Sequence, residues 1–89
     1  MTSERELQRL VERWQQLALD QALSRMPVVR PVVQALADAV ADREQRPRVE
    51  VPDLGPRVVM DQLTVMVHDA GQAGLDPAAD LVALRKALS

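Results

Sequence analysis

The chain has 89 residues, 47% apolar and 27% charged, with a formal net charge of −2; this is enough for one small globular domain and is not the composition of a disordered chain. Ten Arg and one Lys are dispersed among thirteen acids, which gives no electrostatic footprint for nucleic acid or an anionic membrane, and without Cys there is neither a disulfide nor a thiolate metal site. Trp14 is the only aromatic, so the core must be built from Leu, Val, Ala and four Met, a set that suits helix-on-helix packing.

The opening residues MTSERELQRL are charged and amphipathic, without the apolar core of a signal peptide. No apolar run approaches the ~20 residues of a membrane span, so a soluble, cytoplasmic protein is expected. Ser3 and Glu6 have the spacing of a capping box. Leu7, Leu10, Val11, Trp14, Leu17, Ala18 and Ala22 then recur in steps of three and four, which predicts an amphipathic helix reaching toward Met26. Leu19 and Leu23 widen its apolar stripe. Arg5, Arg9 and Arg13 form a ladder on the outer face, with Glu6 and Glu12 each three residues from Arg9 to offset the repulsion. The ladder reads as a solvated helix face before a contact surface.

Pro27 is expected to end or bend this helix, because proline removes a backbone donor and restricts the residue before it. Pro27 or Pro31 then opens a second helix running to about Arg43, with Val29, Val32, Val33, Leu36, Ala37 and Val40 inward. Asp38, Asp42 and Glu44 make its outside acidic. The short connection predicts antiparallel neighbours, or one long kinked helix. Residues 45–56, QRPRVEVPDLGP, hold three prolines and a glycine and cannot be helical. They read as an extended Pro-rich strap, pinned on the bundle by Val49, Val51 and Leu54.

The third predicted helix, Pro56 to Ala70, is the most apolar stretch. Its polar residues fall on one narrow stripe, Arg57, Asp61, Thr64 and His68, and a helix otherwise apolar all round is expected at the centre of a fold. Its β-branched content leaves a buried strand over Leu63–Val67, paired with Arg48–Val51, as the alternative. Gly71 and Gly74 terminate it. Asp76-Pro77 starts a fourth helix that turns Leu81, Leu84 and Leu88 inward.

Little here carries chemistry. His68 is the only histidine, and Asp61 lies two turns, roughly 10 Å, before it, too far to share a metal. Thr64 is the only hydroxyl near His68, and a helical threonine ordinarily bonds its own backbone. Gly71–Gly74 lacks the Lys and Ser/Thr of a phosphate loop. The fourth helix opens with acids and apolar residues where a recognition helix needs base-contacting side chains. Asp61-Gln62-Leu63 lacks the serine that carries the phosphopantetheine arm in acyl carrier proteins, so that resemblance is set aside and no residue is carried over.

The sequence therefore predicts an all-α domain over residues 1–89: four helices with an extended Pro-rich strap between the second and third. No catalytic, cofactor-binding or metal residue is assigned and no cofactor is expected. The chain reads as a non-enzymatic protein–protein interaction module, a self-associating adaptor or accessory subunit. Its aliphatic surface exceeds what short helices cover, and small domains often complete a core by dimerising. Candidate interface residues are Trp14, Leu19, Leu23, Arg57, Asp61, Thr64 and His68, with a homodimer or another protein as partner. His68 on a dimer axis would put two imidazoles together, and acid would charge both. The alternative is an antitoxin-like or regulatory protein, reaching a nucleic-acid-associated partner through Arg5, Arg9 and Arg13. A helical enzyme built on Arg57, Asp61 and His68 would need a second chain to complete its site.

Overall fold

A computed structural model of the chain describes residues 2–89. It holds four helices, α1 (Thr2–Gln15), α2 (Leu19–Arg43), α3 (Val59–Gln72) and α4 (Ala78–Leu88), and no strand among the described residues. The all-α reading holds, and Leu63–Val67 is helix.

The first two helices divide differently from expectation. The chain breaks at residues 16–18, and α2 then runs unbroken through Pro27 and Pro31. Two short backbone bonds close the end of α1, from Gln16 N to the Arg13 carbonyl and from Leu17 N to the Trp14 carbonyl. Gln21 folds back so that its Oε1 accepts from Ala18 N at 3.2 Å, giving α2 its start. The reason α2 survives two prolines lies in its buried side. Ala22, Met26, Val29, Val33, Leu36 and Val40 alternate steps of four and three without a gap and all are buried. Both prolines lie on the exposed side, so their rings meet solvent and the lost helix bonds are traded against a continuous apolar contact.

The capping box at Ser3 is also absent. Ser3 lies inside α1, and Glu6 turns to Arg85 of α4. Asp76 does open α4: its Oδ1 accepts from Ala78 N at 3.0 Å. Gly74 ends the α3 turn at φ +80, with Leu75 N bonded to the Ala70 carbonyl at 2.8 Å, the paired closure for which glycine is favoured. The same closure follows α2, where Arg46 N reaches the Ala41 carbonyl at 2.8 Å, but Gln45 holds the left-handed position at φ 56.

Packing follows a ring. α1 lies principally on α4 and α3, and α2 on α3 and α4, so α1 and α2 face each other across the bundle instead of being neighbours. The Cα frame measures 38 × 28 × 17 Å. Its thin dimension holds two helix layers at the usual spacing of about 8–10 Å, so no helix is wrapped on all sides. α3 accordingly has an ordinary buried face, Val59, Met60, Leu63, Val67 and Ala70, while Met66 is half-buried and Val65 is exposed. Leu10, Trp14, Leu63, Leu81 and Leu84 meet in one core cluster fed by all four helices.

Residues 46–55 have no regular secondary structure. They are held on α2 and α3 by polar bonds more than by apolar packing. Gln34 Oε1 accepts from Val51 N at 2.8 Å, and Gln34 Nε2 donates to the Val49 carbonyl at 3.1 Å. Gln62 Nε2 donates to the Pro52 carbonyl at 2.9 Å. Of the three expected apolar pins only Val51 packs on the core; Val49 and Leu54 are exposed.

Candidate functional site

The seven candidate residues divide into three settings. Trp14 is buried, 7% exposed, against the core. Its indole Nε1 donates to the Pro56 carbonyl at 2.8 Å, which ties α1 to the turn that leads into α3. Burying an indole with its N–H satisfied removes the cost of stripping that donor of water.

Leu19 and Leu23 lie in the first two turns of α2, not in α1, and they are 58% and 52% exposed. A turn apart, they make a small apolar crest. Beside it lies a hollow of about 420 Å³ lined by Val11, Trp14, Leu19, Met60, Arg57 and Asp61 among others. Four of the seven candidates thus meet at one place. Sequence spacing did not reveal this meeting, because it depends on the break at residues 16–18, which carries the crest across to the α1–α3 seam.

Asp61, Thr64 and His68 are exposed and share one face of α3, with Val65 among them. Thr64 Oγ1 donates to the Met60 carbonyl at 2.8 Å, which spends its hydroxyl within the helix. Among the described residues no ion pair joins Arg57 to Asp61, and no three His, Asp or Glu side chains gather as a metal would need. The shifted titrations lie elsewhere: Arg48, by hydrogen bond and charge, holds the Asp42 carboxyl below its ordinary range at the far end of α2. No helix among the described residues is long and apolar enough to cross a membrane.

The arginine ladder is freer than its sequence neighbours suggest. Arg5, Arg9 and Arg13 are all exposed. Glu6 is taken by Arg85, and Glu12 Oε1 accepts from Gln8 at 3.2 Å, so neither glutamate pairs with Arg9.

Sequence reasoning missed a second set of polar residues, Arg30, Gln34 and Gln62, that meet on the 46–55 segment. Each comes from a different turn or helix and none carries a local signal. Comparison with known protein families, with curated proteins and with solved structures finds no match.

Proposed function

We propose that the chain is a non-enzymatic, cytoplasmic interaction module that pairs with a second copy of itself. The observation that carries this reading is the half-exposed Leu19–Leu23 crest lying beside the hollow at Trp14 and Met60. Knob and hollow on one surface are self-complementary. A twofold axis sets the crest of each copy against the hollow of the other, and a C₂ pair is the commonest closed arrangement. Arg57 and Asp61 at the rim supply opposite charges that fix the register.

Sedimentation velocity at micromolar concentration tests this. The native chain is expected as a dimer, and the double variant Leu19→Glu, Leu23→Glu as a folded monomer with unchanged helical circular dichroism. A native monomer throughout, or a dimer indifferent to the double substitution, overturns the reading. Repeating the run at about pH 8 and about pH 5.5 locates His68, since protonated imidazoles brought together at an axis repel. A dimer unmoved by acid puts His68 away from the axis.

A second reading is supported by the exposed ladder of Arg5, Arg9 and Arg13, in no ion pair among the described residues: a regulatory protein whose partner is associated with nucleic acid. A salt-dependent electrophoretic shift of DNA, lost on replacing the three by Gln, would favour it. Indifference to DNA leaves the first reading in place.

A further inference from the structure

Each principal helix packing in this chain joins its first half to its second. α1 and α2 pack on α3 and α4, and neither pair has a substantial interface of its own. Side-chain bonds cross in the same way: Arg85 of α4 donates to Glu6 of α1, and Trp14 of α1 donates to the Pro56 carbonyl at the entry to α3. Each half leaves its apolar side open until the other covers it. The covalent link between them is the connection after α2.

That connection has one hinge. Up to Pro52 it is bonded down, by Gln34 at Val49 and Val51 and by Gln62 at the Pro52 carbonyl. From Pro56 it belongs to the turn that enters α3. Between the two prolines lie Asp53, Leu54 and Gly55. Gly55 reverses the chain at φ +90, and its N–H donates to Asp53 Oδ1 at 3.0 Å. Arg30 lies 3.7 Å from Asp53 in a pair open to solvent. Straightening this turn loses only those two surface contacts. The four peptide steps from Pro52 to Pro56 then reach about 13–14 Å, so a second half that leaves its own chain stays close to it. The apolar side chains left in solvent gather at the same place. Leu54 is in the hinge and exposed, and Leu19 and Leu23 line hollows that Pro56 also lines.

We propose that the chain exchanges its α3–α4 half with a second copy, opening at Asp53–Gly55. In the exchanged pair α3 and α4 of each copy cover α1 and α2 of the other. The core, the Glu6–Arg85 pair, the Trp14–Pro56 bond and the Gln62–Pro52 bond all re-form between copies. The two hinges run side by side and bring Leu19, Leu23 and Leu54 of both copies together. Exchange of this kind is a low-cost route to a dimer, and a hinge under strain promotes it. The proposal rests on the self-pairing reading only for its partner, a second copy, and the two fail separately.

The test starts from the full chain refolded at millimolar concentration and diluted to micromolar for sedimentation velocity. A dimer with native helical circular dichroism is expected, and it should persist after dilution, because separating the copies requires unfolding. In a pair refolded from isotope-labelled and unlabelled chains, filtered NMR should place contacts of Leu10 and Trp14 with Leu81 and Leu84 between copies. Gly55 has open space for a side chain but a positive φ, so Gly55→Val strains the closed turn alone and should raise the dimer fraction several-fold. Glu6→Arg chains refolded together with Arg85→Glu chains regain both ion pairs only by exchange. That mixture should give about tenfold more dimer than either variant alone, the scale of one charged contact. A native chain that stays monomeric, a dimer fraction that Gly55→Val leaves unchanged, or no gain on mixing would each overturn the proposal. So would a dimer whose α1–α4 contacts all lie within one chain, which leaves pairing through the crest standing. An exchanged dimer unmoved by Leu19→Glu, Leu23→Glu upholds the exchange and removes the crest reading instead.

Discussion

Arg85 reaches from α4 to Glu6 of α1, Nε to Oε2 at 2.8 Å, a bond between residues 79 apart in sequence. It differs from the other ion pairs because the Glu6 side chain is only 11% exposed. Removing the guanidinium strands a carboxylate that water barely reaches. Arg85→Met is therefore expected to destabilise by about 1.5–3 kcal/mol, the range for a charge-assisted bond. Arg48→Met, at an exposed and solvent-screened pair, should cost far less. Chemical denaturation of both variants checks this, and equal losses would contradict it.

Leu63 is fully buried and belongs to the core cluster. Leu63→Ala should cost about 2–5 kcal/mol through lost contact and a residual cavity. For a small domain that lowers the melting midpoint by about 4–8 °C per kcal/mol. Val65→Ala, two residues on, on the opposite side of the helix and 52% exposed, should cost less than about 0.5 kcal/mol. The contrast between the two is the measurement.

Trp14 reports on the α1–α3 seam. With its ring buried and its N–H bonded to Pro56, fluorescence should be blue-shifted and poorly quenched by iodide. Trp14→Phe keeps most of the apolar volume but leaves the Pro56 carbonyl without the indole donor, an expected loss of at least about 1 kcal/mol. Water-like emission in the native chain would contradict the burial.

Gln45 sits at φ 56, in the left-handed region, where the closure after α3 uses glycine. A side chain there costs about 1 kcal/mol relative to glycine, partly offset by glycine's greater freedom when unfolded. Gln45→Gly should therefore stabilise the chain by up to about 1 kcal/mol, and Gln45→Val should destabilise it. Thermal melts of the two variants give the sign directly.

Asp42 gives a pH signature. The hydrogen bond from Arg48 lowers its pKa in the folded chain, so its contribution is present above the ordinary carboxylate value. It fades as pH falls through that value toward the lowered one. The pair is exposed, so the effect should be small and weakened by salt. Carboxyl NMR should show Asp42 titrating below its ordinary range, and Arg48→Ala should return it.

Four helices could be read from spacing because their buried residues keep steps of three and four: Leu10 with Trp14, Leu63 with Val67, Leu81 with Leu84. Asp76 and Gly74 act locally, so their roles were also visible. The joint between α1 and α2 was not. Pro27 and Pro31 carried the stronger local signal, yet the stripe from Ala22 to Val40 crosses them without a missed step, and tertiary burial outweighed it. The break at residues 16–18 carries no Gly or Pro at all. It was legible only in hindsight, as the point where Leu17 leaves one stripe and Ala22 begins another. The hollow at Trp14 was hidden for the same reason: it exists only once Leu19 is moved from α1 to α2.

Gln34 meets the 46–55 segment through both ends of one amide, taking the Val51 N–H and giving to the Val49 carbonyl. A single side chain there does the work of a rung in a β-ladder. This divides the connection into two mechanical parts. Past the Arg46–Ala41 bond that closes α2, residues 47 and 48 are exposed and only the Arg48 side chain, on Asp42, ties them back, so residues added there lengthen a surface turn. Between Val49 and Val51 the two bonded groups must stay two residues apart. One residue inserted there puts the amide out of phase with its partners, and the tether that holds the connection to α2 comes undone without any change in composition.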